Sequence, residues 1–349
     1  MFGTSESTAS SVGAFVLLAL VVAATLYGTS YQQFRHFDWN DSRGASDAAS
    51  YARMAHGDYD VDPIHAYRPV VPWLAGAVRG LLPQSGEGRP DELDKLSFYV
   101  VNFAFVLIAA LLLFAILREL RFDLAMSGFG VGIFLTSRAT VIATGIPLVD
   151  SYYFAGLAAI VWLCLRPTRL ALACTLPLVV LSKESIYPLA LLPLFRREAR
   201  VPLYALSLVA SVVLVLFVRA QIGPWMSDVE AYEKGNDLFS VIMYHVHKLG
   251  IHGAGTLSAR GLHDLFHGVT VFAAFAAVGW WRDRKRETPR LPPFLALMIP
   301  LMLFYAILSG TRGRQLFTTF PVLIPYALLF FEDLRSRWQT ARAASRAAG

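Results

Sequence analysis

Long apolar runs separated by short polar stretches make up most of the chain. A helix needs roughly 17–25 apolar residues to cross the hydrocarbon core of a bilayer, and runs close to that length recur from end to end. The pattern predicts an all-α polytopic membrane protein in which residues 1–349 form one transmembrane domain. We predict ten spans, at about 12–28, 97–117, 124–144, 150–165, 169–181, 185–195, 201–219, 264–281, 291–309 and 315–331, with 182–196 forming either one helix or two.

Composition supports the membrane interpretation. Hydrophobic residues make up 56% of the chain, charged residues only 16%, and the mean hydropathy is +0.50. The first apolar run has no basic segment before it, so we predict a retained helix rather than a cleaved signal peptide. Both cysteines, Cys164 and Cys174, lie in apolar runs and indicate no disulfide framework.

The net charge of +6 is explained by the loops rather than by a nucleic-acid partner. Lys and Arg collect in short segments, as they do on the cytoplasmic side of membrane proteins. This distribution predicts that both termini are cytoplasmic, in what we expect to be a bacterial inner (plasma) membrane. The basic segments are 118–123, 166–169, 196–200, 282–290 and 332–349.

Two long segments, 29–96 and 220–263, then lie on the extracytoplasmic side. In the first, Ser46 is a suitable N-cap, Asp47 falls in the first turn and Gly57 is a stop signal. We predict a short juxtamembrane helix there. Its apolar face follows i, i+3, i+4 spacing and consists of Tyr51, Met54 and Ala55.

A second juxtamembrane helix is predicted from Pro69 to Pro83. Proline is favoured in the first turn of a helix, and apolar residues continue from there. At about fifteen residues the segment is short for a span, whereas Trp73 suits a membrane interface. We therefore expect it to lie on the membrane surface.

Ionisable residues gather at the extracytoplasmic ends of the predicted spans. Charged groups at membrane depth are costly and mark function or buried pairing. Asp47 and Asp150 could act as a general base or as metal ligands, and arginine and lysine are suited to phosphate. We expect a shared polar cavity formed by Asp47, Arg68, Asp150, Lys183, Glu184, Arg312 and Arg314.

The remaining polar motifs leave alternatives open. His245 and His247, in the second long loop, could contact an anionic substrate. His263 and His267 have zinc-ligand spacing but no evident third ligand. The acidic turn at 58–62 reads as solvated rather than as a calcium loop, because Pro63 stands where calcium loops need glycine. The sequence leaves open whether the protein binds a divalent cation, Mg²⁺ or Mn²⁺.

Several short motifs together resemble the C-type integral-membrane glycosyltransferases, which use polyprenyl-phosphate-linked sugars. They are Ser46-Asp47-Ala48-Ala49-Ser50-Tyr51, Tyr-Arg-Pro-x-x-Pro-Trp-Leu from Tyr67 to Leu74, the Lys183-Glu184 turn and Arg312-Gly313-Arg314. The resemblance implies that Asp47 is the catalytic carboxylate of the first loop. It also implies that the basic residues of later outward turns hold the donor phosphate.

The leading hypothesis is a glycosyltransferase that moves a sugar from a polyprenyl-phosphate-linked donor to a glycan, lipid or protein acceptor. Asp47 would be the general base, assisted by Asp150. Donor phosphate would bind Arg68, Lys183, Arg312 and Arg314, with Tyr51, Glu184, His245 and His247 as further substrate contacts. A transporter or flippase of a lipid-linked glycan is the alternative, and a scaffold subunit is a third. Membrane lipids are expected partners and nucleic acid is not.

Overall fold

The computed structural model contains helices and no β-strand in the part of the chain that it describes. That part comprises residues 8–40, 45–61, 63–66, 68–82, 90–166, 169–183, 186, 189, 192, 194, 201–222, 258–259, 262–263, 270–308 and 312–348. The first helices are α1 (Thr8–Arg35), α2 (Ala45–Ala55), α3 (Pro63–Ala66), α4 (Val70–Leu81), α5 (Pro90–Glu119), α6 (Leu124–Thr136) and α7 (Arg138–Gly145). They are followed by α8 (Asp150–Leu165), α9 (Arg169–Val179), α10 (Val201–Ile222), α11 (Thr270–Arg284), a 3-10 helix (Pro293–Leu297), α12 (Met298–Leu308), α13 (Arg312–Phe317) and α14 (Phe320–Ala348).

Three of the described helices are long and apolar enough to cross a membrane, so ten spans are not confirmed. The three stretches are Gly13–Arg35, Glu92–Glu119 and Val201–Val218. The bent pair α6 and α7 would make a fourth if it forms one span. Several other predicted spans correspond to shorter apolar helices, among them α8 and α9.

The predicted continuous span at 124–144 is wrong, because the helix breaks at Ser137. The two parts, α6 and α7, meet at an angle of 59°. The Ser137 hydroxyl donates to the carbonyl of Phe134 at 2.8 Å and accepts from the amide of Thr140 at 3.3 Å. A serine side chain that bonds the backbone in this way caps the second helix and replaces bonds of the first.

Other boundaries also differ from the prediction. The segment 315–331 is divided between α13 and α14, and α14 continues through the predicted tail to Ala348. Helix α2 begins at Ala45, so Ser46 is inside the first turn and is not the N-cap. Its hydroxyl donates to Oδ1 of Asp47 at 3.4 Å instead. Most of 185–195 lies outside the described residues.

The main core is formed where long helices pack closely. Helix α5 packs along α8, and α11 packs along α14. At Gly279 the α11 backbone approaches the backbone of Tyr326, and an added Cβ would lie 1.8 Å from its carbonyl oxygen. Only glycine allows such an approach.

A second, smaller core holds α2 and α4 against the start of α8. Tyr51 and Met54 of α2 are each 1% exposed, as the predicted apolar face requires. They share a cluster with residues of α4, of the first turns of α5 and of the α7–α8 connection, which are Val71, Ala75, Phe98, Val101, Ile146, Leu148 and Val149. This core places α2 beside Asp150.

Candidate functional site

Asp150 is the centre of a buried ionic cluster at the beginning of α8. Its side chain is 5% exposed, and Lys183 Nζ donates to Oδ1 at 3.2 Å. Arg314 Nη1 lies 3.4 Å from the other oxygen, Oδ2. The N-terminal turn of a helix favours a carboxylate, which adds to the two cationic contacts.

A buried amide fixes the start of α8 against α5. Asn102 Nδ2 donates to the carbonyl of Ile146 at 2.9 Å, and the Ser151 hydroxyl donates to Asn102 Oδ1 at 2.5 Å. These bonds satisfy both the N–H and the C=O group of the amide. They also hold Ser151, which follows Asp150 in the chain. Sequence reasoning missed Asn102, although an amide inside an otherwise apolar helix is a usable signal.

Tyr51 connects the first loop to this cluster. Arg68 Nη1 donates to Tyr51 Oη at 3.2 Å. Burial raises the pKa of Tyr51 to about 12, an effect that Arg68 opposes and that the charges of Asp150 and Asp47 strengthen. Both carboxylates are therefore near the same phenol, which stays protonated at neutral pH.

Asp47 is the accessible carboxylate of the site. Its side chain is 34% exposed, and His65 Nε2 lies 3.6 Å from Oδ1. The His65 ring also meets the Tyr51 ring edge to face, with centroids 5.2 Å apart. His65 was missing from the predicted site, although it precedes Arg68 by only three residues in the same polar loop.

The cluster around Asp150 carries more positive than negative charge. One carboxylate faces Lys183 and Arg314, and Arg68 is close enough to influence the same lysine. Burial lowers the pKa of Lys183 to about 8, Asp150 opposes this shift, and the two arginines lower the pKa further. A cationic surplus in a buried position is suited to an anionic group such as phosphate.

A divalent-cation site built from several protein side chains is not found among the described residues. Among them, no group of three or more His, Cys, Asp or Glu residues could hold a metal ion. The two oxygens of Asp150 face cations, which would repel another cation. The Mg²⁺ or Mn²⁺ considered from the sequence stays a prediction.

The structure therefore brings together Asp47, Tyr51, Arg68, Asp150, Lys183 and Arg314, all chosen from the sequence. Four other predicted residues are not placed in this way. Glu184, His245 and His247 lie outside the described residues. Arg312 begins α13, but its side chain is not among those described.

Comparisons with known proteins support the fold. No family model matches the sequence, and no curated protein is significantly similar to it. The chain is similar to the crystal structure of the Archaeoglobus fulgidus oligosaccharyltransferase in its apo form, with a TM-score of 0.58 and 13% sequence identity. The alignment covers 96% of this chain and 52% of that one, so this chain spans about half its length. The chain therefore shares the fold of about half of that oligosaccharyltransferase.

Proposed function

We propose that the protein is a membrane glycosyltransferase that transfers a sugar from a polyprenyl-phosphate-linked donor to an acceptor hydroxyl. The observation that carries the proposal is the cationic cluster of Lys183, Arg314 and Arg68 beside the half-exposed Asp47. The fold shared with an oligosaccharyltransferase supports the same class of reaction. The extracytoplasmic location of the site rests on the distribution of Lys and Arg.

In this proposal the cations bind the phosphate of the donor. Arg314 and Lys183 already hold one anionic group, the carboxylate of Asp150, and their remaining N–H bonds can point to a second. Negative charge grows on the phosphate oxygen as its bond to the sugar breaks. Cations fixed in advance stabilise that charge without reorganising.

Asp47 is proposed as the general base. It takes the proton of the acceptor nucleophile while a bond forms between that nucleophile and the anomeric carbon. The bond from this carbon to the phosphate oxygen breaks, and polyprenyl phosphate leaves with the electron pair. His65, 3.6 Å from the carboxylate, orients Asp47 for this transfer.

Asp150 has a different role in this proposal. Because its carboxylate is buried and faces Lys183 and Arg314, it is a positioning residue for the phosphate-binding cations. The sequence predicts instead that Asp150 assists the base or positions the acceptor. An acceptor proton would instead reach Asp47, whose side chain is partly accessible to solvent.

The experiment that tests the proposal replaces Asp47 by Asn and measures release of polyprenyl phosphate from a panel of lipid-linked sugars, with a membrane extract as the source of acceptor. Loss of a general base lowers the rate by roughly 100- to 10,000-fold. Donor binding should persist, because the proposal assigns the donor phosphate to Lys183, Arg314 and Arg68 rather than to Asp47. Asp60→Asn is the matched control, since this carboxylate belongs to the same loop and its side chain is 89% exposed.

Full activity in Asp47→Asn would show that Asp47 is not the general base. Donor binding without turnover in the wild-type protein would favour a transporter.

A further inference from the structure

A cavity of about 650 Å³ lies between the α5–α6 turn, the connection after α11 and the middle of α14. Three arginines, Arg121, Arg286 and Arg290, and two glutamates, Glu119 and Glu332, contribute to its lining. None of these residues belongs to the Asp150 cluster. The cavity is therefore a separate polar site, and the proposed sugar transfer does not use it.

The cavity lies at the opposite end of α8 from Asp150. Arg166 follows the last residue of α8, and its Nε donates to Oε1 of Glu119 in the cavity lining at 2.6 Å. Helix α8 has 16 residues, which at ~1.5 Å each separate the two ends by about 24 Å. The cavity therefore belongs to the arginine-rich side of the molecule.

Both glutamates of the lining are already neutralised. Glu119 pairs with Arg166, and Glu332 pairs with Arg290. Arg286 lies 3.5 Å from Asp333. By contrast, none of the ion pairs found among the described residues involves Arg121. The net charge left for a ligand therefore resides mainly on Arg121.

Arg121 has an unusual backbone conformation. Its φ of 63° is in the left-handed region, and it is the only described residue other than glycine with a positive φ. The amide of Phe122 donates to the carbonyl of Leu117 at 3.1 Å, which closes the C-terminus of α5 in the pattern that normally selects glycine. An arginine in this conformation is strained, because its Cβ lies close to its own carbonyl group. Residues with a strained backbone cluster at active sites and ligand-binding sites.

A neighbouring arginine holds Arg121 in place. Arg290 Nη2 donates to the carbonyl of Arg121 at 2.9 Å, and its guanidinium lies 4.7 Å from the centre of the Phe122 ring. The Arg121 side chain is exposed, and the hydrogen bond from Arg290 holds its backbone. It is thus presented to the cavity from a rigid turn rather than from a mobile loop.

We propose that this cavity binds a phosphate group, held chiefly by Arg121 with Arg286 and Arg290 beside it. Guanidinium groups bind phosphate oxygens in a bidentate manner. Lipid headgroups are one source of phosphate at this level, because the exposed Trp281, with Lys285 4.5 Å above its ring, marks a membrane interface. A soluble phosphate compound is the other source.

The substitution Arg121→Gly tests this proposal without threatening the fold. Glycine suits a φ of 63°, so the variant should be at least as stable as the wild-type protein in lipid-free detergent. Its affinity for phosphatidylglycerol should fall about fivefold, as expected for roughly 1 kcal/mol per basic residue at a lipid phosphate. Arg337→Gln is the matched control, because Arg337 is exposed on α14 and outside the cavity lining.

The measurement is thermal stabilisation of the purified full-length protein, with native mass spectrometry of bound lipid. Phosphatidylglycerol, diacylglycerol (which lacks the phosphate) and inorganic phosphate are titrated separately. Stabilisation of wild type and Arg337→Gln by phosphatidylglycerol, but much less of Arg121→Gly, supports a headgroup site. The same difference with inorganic phosphate alone supports a soluble phosphate as the ligand. Equal responses of Arg121→Gly and wild type to phosphatidylglycerol and to inorganic phosphate would overturn the proposal. It would also be overturned if the two lipids stabilised the wild type equally and inorganic phosphate had no effect.

Discussion

Lys183 Nζ and Asp150 Oδ1 lie 3.2 Å apart, and both side chains are buried. The lysine follows α9 and the aspartate begins α8, so the pair joins two chain segments that are 33 residues apart. Arg314 adds a third segment through the second carboxylate oxygen. The cluster therefore organises the site and contributes to the stability of the fold.

Replacing Asp150 by Asn should strongly destabilise the protein. The change leaves Lys183 and Arg314 buried without their carboxylate, and breaking a buried ion pair from one side costs roughly 3–5 kcal/mol. The thermal midpoint in detergent should fall clearly below that of wild type. The double variant Asp150→Asn with Lys183→Met should recover part of the loss, because it removes one of the two uncompensated charges. An unchanged midpoint in Asp150→Asn would show that the pair is not buried as described.

Donor binding should weaken as the pH rises through about 8. Burial lowers the pKa of Lys183 to about 8, so its charge is present below that pH and is lost above it. If binding requires this charge, affinity for a polyprenyl-phosphate sugar should fall about tenfold between pH 7 and pH 9. Lys183→Arg should keep its affinity to pH 9, because arginine does not deprotonate in this range. If wild type and Lys183→Arg lost donor affinity equally at alkaline pH, another group would be responsible for the pH dependence.

Replacing Tyr51 by Phe should reduce turnover moderately. The phenol accepts a hydrogen bond from Arg68 at 3.2 Å, and the substitution removes this one bond that orients the guanidinium. One hydrogen bond to a charged group is worth about 1.5–3 kcal/mol, so activity should fall by roughly 10- to 100-fold. Tyr99→Phe is a suitable control, since its hydroxyl bonds Ser30 instead of a site residue. Wild-type turnover in Tyr51→Phe would show that Arg68 needs no such support.

Gly279→Ala should destabilise the packing of α11 on α14. The added Cβ would lie 1.8 Å from the carbonyl oxygen of Tyr326, so the two backbones must separate. Overpacking of this kind costs roughly 1–3 kcal/mol, seen as a lower thermal midpoint. Gly132→Ala is the control, because nothing lies within 4 Å of its added Cβ. Equal midpoints for the two variants would contradict the close approach.

Local patterns in the sequence predicted the first half of the site. Spacing at i, i+3 put Tyr51 and Met54 on one face of a short helix, and both are buried. Asp47 was expected in the first turn of that helix and is found there. Such features depend on neighbours a few residues away, which the sequence displays directly.

Contacts between distant segments were only partly predictable. Positive charge in the loops placed Asp150 and Lys183 at the same end of the helices, but it did not show that they touch. His65 and Asn102 were missed because their roles depend on which helices pack together.

The three glycines Gly128, Gly130 and Gly132 have the same spacing and cannot be distinguished from the sequence. Only at Gly130 would an added Cβ clash, with side chains of Leu117 and Leu328.

The break at Ser137 also depended on tertiary structure. The apolar composition of 124–144 is compatible with a continuous span. A serine in such a segment can bond the backbone of its own helix or cap the next one, and periodicity does not distinguish these outcomes. The structure shows the capped and bent form.

The length of α8 determines how deep the proposed sugar-transfer site lies. Its 16 residues rise about 24 Å, whereas the hydrocarbon layer of a bilayer is about 30 Å thick. A tilt would shorten this reach further. With Arg166 at the headgroup level on one side, Asp150 cannot reach the headgroup level on the other. If the protein uses a polyprenyl-phosphate donor as proposed, the donor phosphate would have to descend below the lipid headgroups to meet Lys183.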